Sequence, residues 1–297
     1  MDSKTVFLSI LRAKELYQMV KKKLLFTVLI LIVGIVVYDY TQNMKKTFKK
    51  ESIIGLVRTS KLPSEIINDS DLEHLPSIVQ KYLHYVGVVG KEKVNNMRVV
   101  LEGGIRSNPE DDWMKFTSMQ YNFFDEPTRV FYFKATKMGL PAYGLHFYKN
   151  EKATFVVKLL GLFKIVDAKG DKLDQAETVT LFNDMCLLAP ATLISKNIQW
   201  TEIDTFTVDA KFTNENITIS ARLYFNSAGE LINFVSNDRY ETNGKEYQNY
   251  PWLTPVKKYH KMGDYKLCSE VSADYRRPDT TFSYGKFKIK EVSYNFK

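Results

Sequence analysis

Hydrophobic and polar positions change their spacing twice along this chain, and each change marks a different kind of structure. From Leu24 to Tyr38 the text LLFTVLILIVGIVVY runs for 15 residues without a charge, between Lys21-Lys22-Lys23 and Asp39-Tyr40. At about 1.5 Å per residue the run is short for a hydrocarbon core of roughly 30 Å, but the flanking lysines can reach outward and the tyrosines can sit among head groups. No small-x-small cleavage pattern follows. Residues 24–40 are therefore expected to be an uncleaved transmembrane signal anchor. Ahead of it, Val6, Ile10, Ala13, Tyr17 and Val20 recur at steps of four and three, so residues 1–23 read as a basic amphipathic segment. It either lies on an anionic leaflet or extends the anchor helix. Residues 41–60 read as a basic tether.

The second regime is helical. From Pro76 the spacing puts Ile78, Val79, Tyr82, Leu83 and Val86 on one face of a short helix closed by Gly87. Thereafter the period drops to two. Met97–Ile105, Trp113–Phe124, Arg129–Met138, Tyr143–Tyr148 and Thr154–Val166 are rich in aromatic and β-branched residues and are divided by Gly, Pro, Asn and Asp clusters. A helix interrupts them: Asp174 is placed as its cap with Glu177 three residues on, and Ala176, Val179, Phe182, Met185, Cys186 and Ala189 recur at three and four until Pro190. Period two then returns in Ile198–Ile203, Thr205–Phe212, Ile217–Phe225, Leu231–Tyr240, Pro255–Lys261, Tyr265–Tyr275 and Phe282–Tyr294. The pattern predicts a mainly β (α+β) domain over residues 61–297: a large curved antiparallel sheet or half-barrel with an internal helix. No repeat or low-complexity linker divides it.

Composition changes this picture mainly through charge. The 297 residues carry a formal +8, but residues 1–60 hold 11 Lys+Arg against 4 Asp+Glu, and residues 61–297 hold 31 against 30. The β domain is thus nearly neutral, which argues against nucleic acid as a partner. Two cysteines and four histidines leave little material for a disulfide framework or a transition-metal site, so no metal or cofactor is expected. Lysines abut one side of the anchor and Asp39 the other. With a short N-terminal tail this favours N-in, C-out, placing the domain on the outer side of the membrane in a single-pass arrangement.

Several stretches resemble one family. Leu75-Pro76 with Tyr82-Leu83 and Gly87-Val88-Val89-Gly90, Trp113-Met114-Lys115-Phe116-Thr117 with Gln120-Tyr121, and Met138-Gly139-Leu140-Pro141 follow in order, then Leu159-Leu160-Gly161-Leu162 with Val166-Asp167, Asp174-Gln175 with Glu177, and Pro190-Ala191-Thr192-Leu193. Together they are similar to an uncharacterised bacterial family of membrane-anchored proteins, a domain of unknown function, over most of residues 70–295. The C-terminal half, with its Trp200 strand, its hairpin through Asn226-Ser227-Ala228-Gly229 and its closing Phe282–Tyr294 strand, more loosely resembles the lipoprotein-carrier (Lol-type) fold. That second resemblance implies an open half-barrel plugged by helices, with acyl chains bound inside.

A curled sheet must fill its inner face with side chains, a helix or a ligand. Aromatics at consecutive positions, Tyr121 with Phe123-Phe124, Phe131-Tyr132-Phe133 and Phe147-Tyr148, must send some rings to each face. We take Gln120, Tyr121, Tyr132, Met138, Tyr143 and Phe147 as candidate ligand-binding residues. Gln175 and Glu177, opening the internal helix, are the polar candidates for a head group, although Asp174 and Glu177 could instead serve as a capping box. No Gly-x-Ser-x-Gly, His-Glu-x-x-His or phosphate-binding loop occurs, His84 and His146 read as structural histidines, and no catalytic residue is assigned. The sequence thus points to a non-enzymatic, membrane-anchored module with a groove for a lipid, a lipidated peptide or another amphiphile. The alternative is an assembly protein of the cell envelope, docking on a protein partner through its aromatic face. Cys186 and Cys268 could be buried thiols or one disulfide.

Overall fold

In the computed structural model, residues 3–137, 139–242 and 246–296 are described. Helix α1 runs through Ser3–Thr59. The chain divides into two units, residues 1–43 and residues 44–297. In the first, every apolar side chain from Leu24 to Val37 whose exposure is resolved is open to its surroundings, and α1 is the one helix, among the described residues, long and apolar enough to cross a membrane. The side chains of Val6, Ile10 and Ala13, on which the amphipathic reading depends, lie outside the described residues.

The expected tether differs from its reading. Residues 44–59 stay helical because Met44, Phe48, Ser52, Gly55 and Thr59 recur at steps of four and three and are buried against the sheet, while Lys45, Lys46, Lys49 and Lys50 turn to solvent. Gly55 permits this approach: a Cβ there would stand 2.3 Å from the Phe123 ring. Arg58 then clamps the helix end, donating to both carboxylate oxygens of Asp125 at 2.7 and 2.9 Å.

The short helix is α2, Ser77–Val86, closed as expected by Gly87 in the left-handed conformation. Six strands follow as a meander: β1 Asn96–Ile105, β2 Met114–Phe123, β3 Thr128–Lys137, β4 Leu140–Lys149, β5 Lys152–Leu159 and β6 Phe163–Lys169. The stretch Thr154–Val166, read as one strand, is a hairpin. Leu160 and Gly161 both take positive φ and turn the chain there. Helix α3, Asp171–Leu188, leads to β7 Ile198–Asp204, β8 Thr207–Asn214, β9 Ile217–Phe225 and β10 Leu231–Ser236. A small pair, β11 Glu241–Thr242 and β12 Tyr247–Gln248, stands apart. The remaining strands are β13 Trp252–Leu253, β14 Val256–Met262, β15 Tyr265–Arg276 and β16 Thr281–Tyr294.

Fourteen of these strands form one open antiparallel sheet, ordered β6-β5-β4-β3-β2-β1-β16-β15-β13-β10-β9-β8-β7 with β14 on β15. The two ends of this order, β6 and β7, are the strands on either side of α3 in the chain. The helix therefore connects one free edge of the sheet to the other, packing on β5, β6, β9, β10 and β15 as it crosses. Such a helix has no solvent face, and Leu173 to Leu188 are buried almost throughout.

Alternation sorts the side chains cleanly. On the inner face, against α2 and α3, Phe116, Phe133, Ala135, Ala142, Tyr148 and Val157 join the main core. On the outer face Tyr121, Phe123, Val130 and Leu145 form a second core with Met44 and Phe48 of α1. Gly144 marks a tight point inside, where its cross-strand neighbour Phe133 lies over the backbone and a Cβ would come within 2.0 Å of the ring.

Candidate functional site

The inner face does not pack solid against α3. A cavity of about 1020 Å³ remains, bounded by strands from both halves of the sheet and by α3, with Phe116, Phe131, Phe133, Phe155, Phe287 and Ile289 among its apolar walls. Its size falls at the upper end of the range for small-molecule sites.

Part of the cavity wall is charged. Strand pairing sets Arg129 opposite Tyr148, Phe131 opposite His146, and Gln120 opposite Phe131, so inward positions of β2, β3 and β4 converge. From α3 come Glu177 and Asp184, seven residues apart and so on one face of the helix. Arg129 joins them: its Nε donates to Asp184 Oδ2 at 2.8 Å, one terminal nitrogen donates to Glu177 Oε2 at 3.2 Å, and the other donates to Gln120 Oε1 at 3.1 Å. Gln120 Nε2 and Asn122 Nδ2 donate to the same Asp184 oxygen at 2.7 and 3.0 Å. A buried ion pair is tolerable only with such extra hydrogen bonds.

Two atoms fall outside this satisfaction. His146 Nε2 lies 3.0 Å from Glu177 Oε1, yet neither atom is aligned for a hydrogen bond and both are buried. Burial, reinforced by the Arg129 and Arg239 guanidiniums, pushes the His146 pKa well below the ordinary imidazole value. Burial raises the Glu177 carboxyl above its ordinary value, against the pull of the same two arginines. Arg239 completes the wall. It stacks 4.5 Å over the Trp252 ring and donates from Nε to Thr180 Oγ1 at 3.2 Å and from a terminal nitrogen to the Tyr275 hydroxyl.

The candidate residues named from sequence are divided by the sheet. Gln120 and Glu177 line the cavity. Tyr121, Tyr132, Tyr143 and Phe147 point to the other face, where they pack around Met44 and Phe48 of α1, with ring centroids of Phe48 and Tyr132 5.6 Å apart. Gln175 is half-buried on α3 and does not line the cavity, and Met138 lies outside the described residues. Asp174 is not the helix cap. The helix begins at Asp171 after Gly170, and the Asp174 carboxylate accepts from Lys152 Nζ at 2.8 Å and the Ala153 N–H at 2.7 Å. Glu177 is thereby released from a capping role. Arg129, Asp184 and Arg239 went unremarked in the sequence, and His146 was set aside as structural. The available signal was phase: Arg129 shares its side of β3 with Phe131 and Phe133, an inward position for a charge.

Cys268 lines the cavity and Cys186 does not. Both are free and buried, Cys268 Sγ donates to the Leu187 carbonyl at 3.3 Å, and burial lifts the Cys186 thiol well above its ordinary value and that of Cys268 to about 12.

Residues 65–287 match a family of unknown function, DUF6544. Curated proteins give no match. Among solved structures, a LolA superfamily protein from Nitrosomonas europaea is similar at 8% identity and a TM-score of 0.40, covering 73% of this chain and 92% of its own. A DUF1329 family protein from Desulfovibrio piger is similar at 8% identity and a TM-score of 0.37, covering 73% and 90%.

Proposed function

The chain belongs to the family of unknown function DUF6544, and we propose that it is a membrane-anchored, non-enzymatic binding module that holds the apolar part of an amphiphile between α3 and the inner face of its sheet. The observation that carries this reading is the cavity of about 1020 Å³, walled largely by aromatic and aliphatic side chains with charged groups in part of its wall. An apolar space of that size left to water exposes surface that burial would stabilise by about 25 cal/mol per Å². A chain-like apolar ligand recovers that term, and a polar head meets the charged part of the wall.

The exposed run from Leu24 to Val37 supports a seat in the bilayer, since an uninterrupted apolar surface of this kind requires an apolar surrounding. With Lys21–Lys23 on one flank and Asp39 on the other, the proposed orientation places the β domain outside a bacterial cytoplasmic membrane. In that position the module takes lipid or lipidated peptide from the leaflet beside it. Docking of an envelope protein on Tyr121, Tyr132, Tyr143 and Phe147 has less support, because α1 of the same chain covers those rings.

The test is organic extraction of the full-length protein purified from membranes in mild detergent, with lipid analysis against a mock preparation. A single enriched acyl-bearing species is expected. A lipid profile identical to that of the mock preparation would overturn the proposal.

A further inference from the structure

Arg129 and Arg239 enter the same cavity with opposite electrostatic circumstances. Arg129 is matched: both carboxylates of α3 that line the cavity, Glu177 and Asp184, contact it. Arg239 has no such match. Among the described residues it forms no ion pair, its hydrogen-bond partners are the neutral hydroxyls of Thr180 and Tyr275, and its guanidinium is sandwiched by rings, 4.5 Å from Trp252 and 5.9 Å from both Tyr275 and Tyr284. Aromatic faces hold a guanidinium in place and lower its hydration without neutralising it. The residue is thus oriented, half-buried and without a counter-charge in contact, Glu177 acting on it only through space.

Its setting fixes what can supply that charge. Arg239 lines the cavity together with Phe282, Tyr284 and Phe287, and Phe131 and Phe155 line the same space. A ligand that fills this largely apolar space and meets Arg239 is apolar along its length and anionic at its end. Arginine pairs best with planar or tetrahedral oxyanions, through two N–H groups at once.

Resting on the reading of this cavity as an amphiphile site, we infer that the ligand is an acyl or alkyl chain ending in an oxyanion, a carboxylate or a phosphate, and that Arg239 is the residue that binds that end.

The experiment is equilibrium binding of hexadecanoate, hexadecyl phosphate and hexadecanol to the full-length protein in a nonionic detergent, comparing the natural protein with Arg239→Gln and Arg239→Lys. Micelle partitioning is the same for all three proteins, so differences report the site. At least one of the two acids binds the natural protein more tightly than the alcohol, and Arg239→Gln weakens that acid by about tenfold or more while leaving the alcohol unchanged. The better of the two acids identifies the head group. Arg239→Lys, which keeps the charge but loses the fork, falls between, and it carries the test if the glutamine variant does not fold. Equal binding of acids and alcohol, or an acid unaffected by either substitution, overturns the assignment of Arg239 while leaving the amphiphile site standing. Failure of all three ligands to bind the natural protein overturns the amphiphile reading itself.

Discussion

His146 Nε2 and Glu177 Oε1 stand 3.0 Å apart inside the cavity wall, close enough to pair and not aligned to do so. Glu177 is held from its other oxygen by Arg129, and His146 is fixed against the Phe155 ring at a centroid distance of 4.6 Å. The two groups are therefore positioned by their other neighbours, and their protonation states register the interior of the site.

A pH dependence follows. In the unfolded chain an imidazole takes up its proton near pH 6.5, whereas buried His146 resists protonation, its folded pKa lying well below that. The stability tied to His146 is thus complete above about pH 6.5 and is lost as pH falls below it. Glu177, raised by burial, runs the other way: its contribution is complete below about pH 4.3 and is lost as pH rises through its folded value. Substituting His146 removes the histidine contribution and leaves that of Glu177. Thermal unfolding of the full chain in detergent between about pH 7 and about pH 5 is expected to show a smaller fall in Tm for His146→Gln than for the natural protein. Equal falls would contradict the assignment.

Arg129 makes the sharper stability prediction. Arg129→Ala leaves Asp184 and Glu177 buried without their cation, a loss of about 3–5 kcal/mol. Replacing Arg129, Glu177 and Asp184 together by Met, Met and Leu removes the two carboxylates that Arg129→Ala leaves unpaired and is expected to recover most of that loss. The two chemical-unfolding midpoints decide the matter. A triple variant no better than Arg129→Ala would mean that the cluster matters through packing and not through charge.

At Gly55 the expectation concerns the outer face. Gly55→Val puts branched carbons where the Phe123 ring already lies, so residues 44–59 must lift from the sheet. Limited proteolysis between Lys45 and Arg58 should become fast in this variant while the rest of the β domain stays resistant. Unchanged resistance would show that the helix is not seated on Phe123 as described.

Topology can be read with a single introduced thiol, because Cys186 and Cys268 are buried and their high pKa values leave little reactive thiolate. Ala228→Cys places a thiol on an exposed turn. Labelling by a membrane-impermeant maleimide in intact cells, stripped of any outer barrier, is the expected result. Labelling only after the cytoplasmic membrane is opened would reverse the orientation.

Much of the architecture was legible because period-two alternation is a strong signal: most strands, the short helix ending at Gly87 and the internal helix up to Pro190 lie where the spacing places them. The hairpin at Leu160-Gly161 escaped because its turn offers one glycine within an otherwise apolar run. Residues 44–59 escaped because lysines dominate the text, although the buried stripe from Met44 to Thr59 is there at helical spacing. The site was half legible. Alternation said that aromatics must face both ways but not which face curls inward, and so Tyr121, Tyr132, Tyr143 and Phe147 were chosen with Gln120. Asp184 and Arg239 could not be joined to Glu177 and Arg129 by any local rule. Their meeting depends on α3 crossing from one sheet edge to the other.

The most direct test of the central claim uses β5, where neighbouring residues face opposite sides. Phe155 lines the cavity, and Thr154 is exposed on the outer face. Native mass spectrometry of full-length Phe155→Asp and Thr154→Asp, purified from membranes beside the natural protein, asks which carries bound amphiphile. The natural protein and Thr154→Asp are predicted to retain an acyl-bearing ligand at one per chain, and Phe155→Asp, still folded by circular dichroism, is predicted to have lost it. An empty natural protein, or a ligand kept equally by both variants, would contradict the account.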